Sequence, residues 1–333
     1  MKSFAYARPT NESETVNLLG SKWGQTALLA GGTDLMSLMQ NRVHTPEVLV
    51  DINNVESLKT LQPTDEGLVV GALTSLDDLL EGEVLEQFPA VTQAVDGIQS
   101  IQIRARGTIG GELCQRPRCW YFRNGYGLLG RDGERSLPLE GDNRYHAIFG
   151  NQGPALFVSP SRLAPALIAL NAQVRIIGPD MEDVLPLEYF FVTPRNETQT
   201  ENVLLPNQLL THVFIPPADN CVNATYEVVQ LQGLDWPLAA ASASLKIENG
   251  IVREAKIVLG HVAPIPWVSN DAAQSLIGHP VTEETAQSAG NISVATATPL
   301  SRNGYKIQMA RTAVKRAILR AAGLLEGGQE SHV

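Results

Sequence analysis

The chain has 333 residues, 44% hydrophobic and 18% charged, which describes a soluble globular protein too long for a single core, so two or three subdomains are expected. A formal net charge of −10 argues against broad binding to nucleic acid or to an anionic membrane, since both need a basic face. Only Cys114, Cys119 and Cys221 are present, which fits a reducing compartment rather than a disulfide framework; Met1-Lys2-Ser3-Phe4-Ala5 lacks a signal core, and no apolar run reaches the ~18 residues of a membrane span.

Ser13 and Glu14 predict a helix start, followed by apolar Val16, Leu18 and Leu19. Thr26-Ala27-Leu28-Leu29-Ala30 reads as a buried strand, Asp34 to Gln40 as a helix, and Val48-Leu49-Val50-Asp51-Ile52 as another buried strand. A helical crossover makes such strands parallel, so residues 1–55 read as βαβ. Residues 56–216 are mixed. A strand is expected at Leu68 to Ala72, a capped helix start at Ser75, helices at Pro89 to Val95 and Pro165 to Leu170, and strands at Gln173 to Ile177 and Leu209 to Ile215. Within them, residues 116–150 are rich in Arg, Gly and Tyr without periodicity, which marks either a functional insert or an excursion packed on the surface. Pro216-Pro217 marks a boundary. Residues 217–333 read as a strand at Tyr226 to Leu231, a hairpin around Asn249-Gly250, helices near 268–277, 283–290 and 305–322, and a frayed tail from Glu326 to Val333.

Two glycine-centred stretches carry the strongest functional signal. Leu29-Ala30-Gly31-Gly32-Thr33-Asp34-Leu35 follows a predicted strand and opens a helix. Thr108-Ile109-Gly110-Gly111-Glu112-Leu113 repeats the paired glycines beside a hydroxyl. Paired glycines let the backbone turn and present bare N–H groups, which suits an anion, and two such hollows suit a pyrophosphate. Arg104, Arg106, Arg116 and Arg118 form a local basic cluster that could serve the same anion.

Other motifs are weaker. Gly125 to Gly130 spells GxGxxG, but no strand precedes it and no apolar helix follows, so it reads as a plain glycine loop. Cys114, Cys119 and His146 are too few for a closed metal site, although neighbouring arginines could lower a thiol pKa. Asp77-Asp78 reads as an exposed helix face, and His261 as a hydrogen-bonded structural histidine rather than a group facing a cofactor. No nucleophile or general base stands out. A pyrophosphate binder without such groups leaves the chemistry to its cofactor.

In order and spacing, these segments resemble the flavin-binding medium subunit of the xanthine dehydrogenase family of molybdenum hydroxylases. The resemblance rests on Phe4 to Pro9, Ala30 to Leu35, Thr108 to Gly111, Ser159 to Leu167, Gly260 to Pro266 and Pro299 through Ala317. It implies an α+β protein with a PCMH-type FAD-binding fold: a βαβ subdomain, an α+β subdomain and a C-terminal antiparallel sheet with helices. FAD would lie between the first two subdomains, its ring toward the third. Leu29, Ala30, Gly31, Gly32, Thr33, Asp34 and Leu35 would wrap the pyrophosphate. Thr108, Ile109, Gly110, Gly111, Glu112, Leu113, Arg118 and Ser161 would complete the site. The implied partners are a molybdopterin-binding large subunit and a two-iron iron–sulfur small subunit, with NAD, a quinone or another acceptor receiving the electrons. The implied location is cytoplasmic, or periplasmic if a partner carries a twin-arginine signal.

Gln115 to Arg123 resembles the aldehyde oxidoreductase and hydroxybenzoyl-CoA reductase branch, where some members hold an extra four-iron cluster. Cys119 matches the first cluster cysteine, and no other cysteine follows through Gly150, so the insert is expected without the cluster. Three departures bear on the cofactor. Glu112 stands where the family usually has Asn or Ser, and would bring a carboxylate toward an anion. Arg162 stands where it usually has Asp, and the lysine that usually follows Tyr226 is missing. They motivate an alternative, a scaffolding subunit that has lost FAD. A stand-alone flavin oxidase would need a substrate domain and a base that the sequence lacks.

Overall fold

Residues 1–55 build a parallel sheet. In the computed structural model, which describes residues 1–81, 83–231 and 235–325, Val48–Asp51 is the central strand, flanked by Ala5–Ala7 and Thr26–Leu29. The helices Glu12–Leu18 and Leu35–Gln40 lie between consecutive strands, as parallel pairing requires. The first helix starts slightly earlier than Ser13 because the Asn11 side chain accepts the Glu14 N–H and caps it. Ala5–Ala7 has no alternating pattern: it is short and mostly exposed.

The next unit is an antiparallel sheet of Leu61–Thr64, Gly67–Gly71, Leu209–Ile215, Gln173–Gly178 and Met181–Pro186, in that order. Its two edge strands escape sequence reading for one reason. Edges are solvated, so Pro63 is tolerated in the first and the second reads Met-Glu-Asp-Val-Leu-Pro. Pro89–Asp96 and Leu163–Ala169 fill the core. Every residue of Leu163–Ala169 is buried, which is why that segment is apolar all round.

The C-terminal sheet runs Cys221–Val228, Ala239–Glu248, Ile251–Gly260, Trp267–Val268. Its first strand begins before the expected Tyr226 and ends at Val228. Asn249 and Gly250 have φ of +52° and +77°, the left-handed pair of a type I′ hairpin turn. Helix Tyr305–Ala321 covers one face. Ala239, Ala241 and Ala243 on the strand meet Ala310, Ala313 and Ala317 on the helix, and such small side chains let the two approach closely. Lys306, unread in the sequence, is fully buried there. Glu326 to Val333, the expected tail, lies outside the described residues.

Residues 116–150 are not a surface excursion. Phe122, Leu128 and Leu129 pack against Leu38 of the amino-terminal unit, while Ile148 and Phe149 enter the core of the C-terminal sheet. Buried polar anchors replace periodicity: Asn143 bonds to Ser301 at 2.9 Å, and Asn303 to the His146 carbonyl at 3.1 Å.

Candidate functional site

Two grooves meet at the glycine motifs. One is lined by Thr108, Arg118, Arg162 and Trp236, the other by Trp23, Leu28, Gly32 and Leu205. Thr33, Asp34, Gly111 and Gln115 line both. An elongated ligand with an anionic middle and two arms fits that shape.

At the first motif, the Asn53 side chain donates to the carbonyls of Leu29 (3.4 Å) and Ala30 (3.0 Å), holding the strand end. A Cβ on Gly31 would fall 1.6 Å from the Arg106 carbonyl oxygen, so this glycine is required by packing. Gly32 has φ +75° and turns the chain into the groove. Among the described residues, the N–H groups of Gly31, Gly32, Thr33 and Asp34 meet no protein acceptor. Leu35 then opens the helix.

The second motif differs, and the expectation of bare amides there is corrected. The N–H of Ile109 donates to the Thr74 carbonyl (3.0 Å), that of Gly110 to Ala72 (3.0 Å) and that of Glu112 to Thr108 (2.8 Å). The Thr108 hydroxyl takes the Gly111 N–H at 3.1 Å as a helix cap. Gly110 is a packing glycine, since a Cβ would lie 2.7 Å from that of Ala72, whereas Gly111 faces both grooves. Ile109 and Leu113 are buried.

The charges around the grooves are arranged tightly. Asp34 accepts hydrogen bonds from the Arg116 N–H and the Arg118 guanidinium and forms an ion pair with the Arg123 guanidinium, each at 2.8 Å. Arg118 also lies 4.3 Å above the Trp236 ring, and its buried Nε has no partner among the described residues. Burial pushes its pKa down to about 10. Glu112 turns its carboxylate toward the start of Leu163–Ala169, accepting from the Ser161 hydroxyl and from the Arg162 N–H at 2.7 Å. Burial pushes its pKa up to about 7. It is therefore engaged by the fold rather than aimed at a passing anion. The Arg162 guanidinium meets Glu227 at 3.3 Å and the carbonyls of Gly97 and Asp235.

The remaining singled-out residues serve the fold. Burial drives the Cys114 thiol up to about 12 and raises that of Cys119, so nearby arginines do not activate them. Cys119 Sγ sits 3.3 Å from His146 Nε2. Among the described residues no group of three His, Cys, Asp or Glu is placed to hold a metal. The Gly125 to Gly130 loop holds a carboxylate of the chain itself: the N–H groups of Leu128 and Leu129 donate to Glu197 at 2.7 and 3.0 Å. Asp78 closes a capping box with Ser75, and Asp77 meets Arg104 at 3.1 Å. His261 is buried with φ +61°; its carbonyl accepts from Lys306, but its Nε2 has no partner among the described residues, contrary to the hydrogen-bonded histidine expected. Gln115, Trp236 and Glu227 line or brace the grooves without any sequence signal, because each lies in a segment without periodicity or in a polar strand position.

Residues 2–218 match the family described as the FAD binding domain in molybdopterin dehydrogenase, and residues 224–321 match the CO dehydrogenase flavoprotein C-terminal domain. The chain is an FAD-binding medium subunit of the xanthine dehydrogenase family. This medium subunit is 28% identical over 326 residues to the aldehyde oxidoreductase FAD-binding subunit PaoB of Escherichia coli (strain K12), covering 96% of this chain and 99% of PaoB. It is 26% identical to the carbon monoxide dehydrogenase medium chain of Hydrogenophaga pseudoflava, over 95% of this chain and 96% of that one. The solved carbon monoxide dehydrogenase of that organism, lacking the Mo-pyranopterin moiety, superposes with a TM-score of 0.76 at 26% identity, covering 97% and 98% of the two chains. The medium subunit is an oxidoreductase subunit and its cofactor is FAD. Among its described residues, no helix is long and apolar enough to cross a membrane.

Proposed function

We propose that the medium subunit passes electrons from the iron–sulfur clusters of a two-iron small subunit, through FAD, to an external acceptor such as NAD or a quinone. A molybdopterin-binding large subunit would oxidise the substrate. One observation carries the reading: two grooves converge on a loop whose amides are unspent, the shape a flavin dinucleotide needs around its diphosphate.

The amides of Gly32, Thr33 and Asp34 hold the diphosphate, with Leu29, Ala30, Gly31 and Leu35 fixing their geometry. Thr108, Gly111 and Arg118 border the arm that reaches toward the C-terminal sheet; Ile109, Gly110, Leu113, Glu112 and Ser161 support it from behind. Residues 1–55, 56–216 and 217–333 act as the three subdomains. Bound FAD supplies the redox chemistry, and the chain binds, orients and shields it. The engagement of Glu112 with Ser161 and Arg162 favours this reading over the FAD-less scaffold, because both carboxylate oxygens are turned to donors of the chain itself. The complex is cytoplasmic unless a partner exports it.

Titration of the full chain with FAD, followed by quenching of flavin fluorescence, tests the proposal. Saturable binding that is lost in Gly32→Val supports it, and a native chain that binds no FAD overturns it. Co-purification with partner subunits, followed by cofactor analysis, tests the electron route.

A further inference from the structure

Two of the departures noted in the sequence face each other in the fold. Arg162 stands at the start of Leu163–Ala169, and Glu227 lies near the end of the strand Cys221–Val228. Their side chains are 8% and 11% exposed, and the guanidinium is 3.3 Å from the carboxylate. The same guanidinium donates to the carbonyls of Gly97 and Asp235, which come from two further segments. A buried pair of this kind is costly to desolvate and is held only where its geometry is fully satisfied. Yet one Glu227 oxygen, Oε1, is buried with no partner among the described residues. Arg162, Gly97 and Trp236 line the groove that also holds Thr33, Asp34 and Gly111. The positive charge thus sits in the same groove as the shared loop and is fixed by three partners.

We propose that Arg162, braced by Glu227, sets the electron affinity of the bound flavin by presenting a fixed positive charge to the carbonyl-bearing edge of its ring. The inference rests on FAD occupying this groove with its ring toward the C-terminal sheet. Reduction adds two electrons and one proton to the ring, the electrons coming from the partner's iron–sulfur clusters or, in a cuvette, from dithionite. The product carries one negative charge on its pyrimidine edge. A cation held there binds that product better than the neutral oxidised ring and raises the midpoint potential. Within this groove Arg118 is offset by Asp34, which lines it too, and Glu112 is engaged by Ser161 and the Arg162 N–H; Glu227 lines neither groove, so the Arg162–Glu227 pair turns its positive end to the cleft.

The test is reductive titration of the full chain loaded with FAD, against a dye of known potential. The double variant Arg162→Gln with Glu227→Gln removes both charges and keeps hydrogen-bonding groups, so no lone buried charge remains to unfold it. Its midpoint should fall by at least about 30 mV, a tenfold loss of preference for the reduced ring in a two-electron couple. Arg162→Lys should restore most of that loss, and Glu227→Gln alone should leave the midpoint at or above that of the native chain. A double variant that binds FAD with an unchanged midpoint overturns the inference and leaves the proposed function standing. A native chain that binds no FAD overturns both.

Discussion

The two glycine motifs share letters and differ in what their backbones do. At Gly31-Gly32-Thr33-Asp34 the amides meet no protein acceptor among the described residues, and Asp34 draws in Arg118 and Arg123. At Thr108 to Leu113 the amides go to Ala72, Thr74 and Thr108, and the Glu112 carboxylate caps a neighbouring helix. On the proposed function the first motif is the binding loop, and the second is a joint that borders the same cleft. Each pair nevertheless divides labour in one way. Gly31 and Gly110 are glycine because another backbone or side chain occupies the Cβ position, while Gly32 and Gly111 are glycine on the cleft side.

Substitutions can break that contrast. Gly31→Ala has the largest expected effect: a methyl 1.6 Å from the Arg106 oxygen forces the first two units apart, and thermal melts should show a loss beyond about 3 kcal/mol. Gly32→Ala should cost only about 1–2 kcal/mol for its left-handed φ, yet lower FAD affinity sharply. A stable Gly31→Ala with normal FAD binding would contradict the division. Glu112→Gln comes next. Burial raises the folded pKa of Glu112 to about 7, above the 4.5 of the free group. The folded state therefore binds more protons between those values, and stability falls as pH rises through that window. The glutamine variant should gain up to about 3 kcal/mol on the native chain above pH 7, with the gap closing toward pH 4.5, as read by denaturant melts across pH. Asp34→Asn should cost about 1–3 kcal/mol, because the hydrogen bonds from Arg116 and Arg118 lose their charge assistance and the ion pair with Arg123 is lost. The smallest effect is expected from Ser161→Ala, about 1 kcal/mol of stability with unchanged FAD affinity, since that hydroxyl already donates to Glu112. A tenfold loss of FAD affinity there would assign the serine to the cofactor instead.

Much of the fold was legible because it follows periodic or turn chemistry. The strand pair Thr26–Leu29 and Val48–Asp51, the Asn249-Gly250 hairpin and the long final helix all carry local signals. Ala5–Ala7 and Met181–Pro186 carried none, since short or edge strands have no continuous buried face. At the site, the glycine stretches were readable because glycine weakens a regular element and so marks a place where the backbone must turn or be closely approached. Whether their amides were free was not, because Ala72 and Thr74 are remote in sequence from Gly110 and Ile109. The bracing of Arg162 by Glu227 was equally hidden, because only the packing of the helix Leu163–Ala169 against the C-terminal sheet brings the two together.

The path of residues 116–150 has a consequence for dissecting the molecule. Phe149 stacks on Trp267 with ring centroids 5.1 Å apart, and the Ile148 N–H donates to Val262 at 2.8 Å. A fragment cut at Pro216-Pro217 would therefore leave the carboxy-terminal piece with a hole where two apolar side chains belong. Expressed alone it should be sticky and loosely folded, and supplying the amino-terminal piece in the same cell should rescue it by complementation.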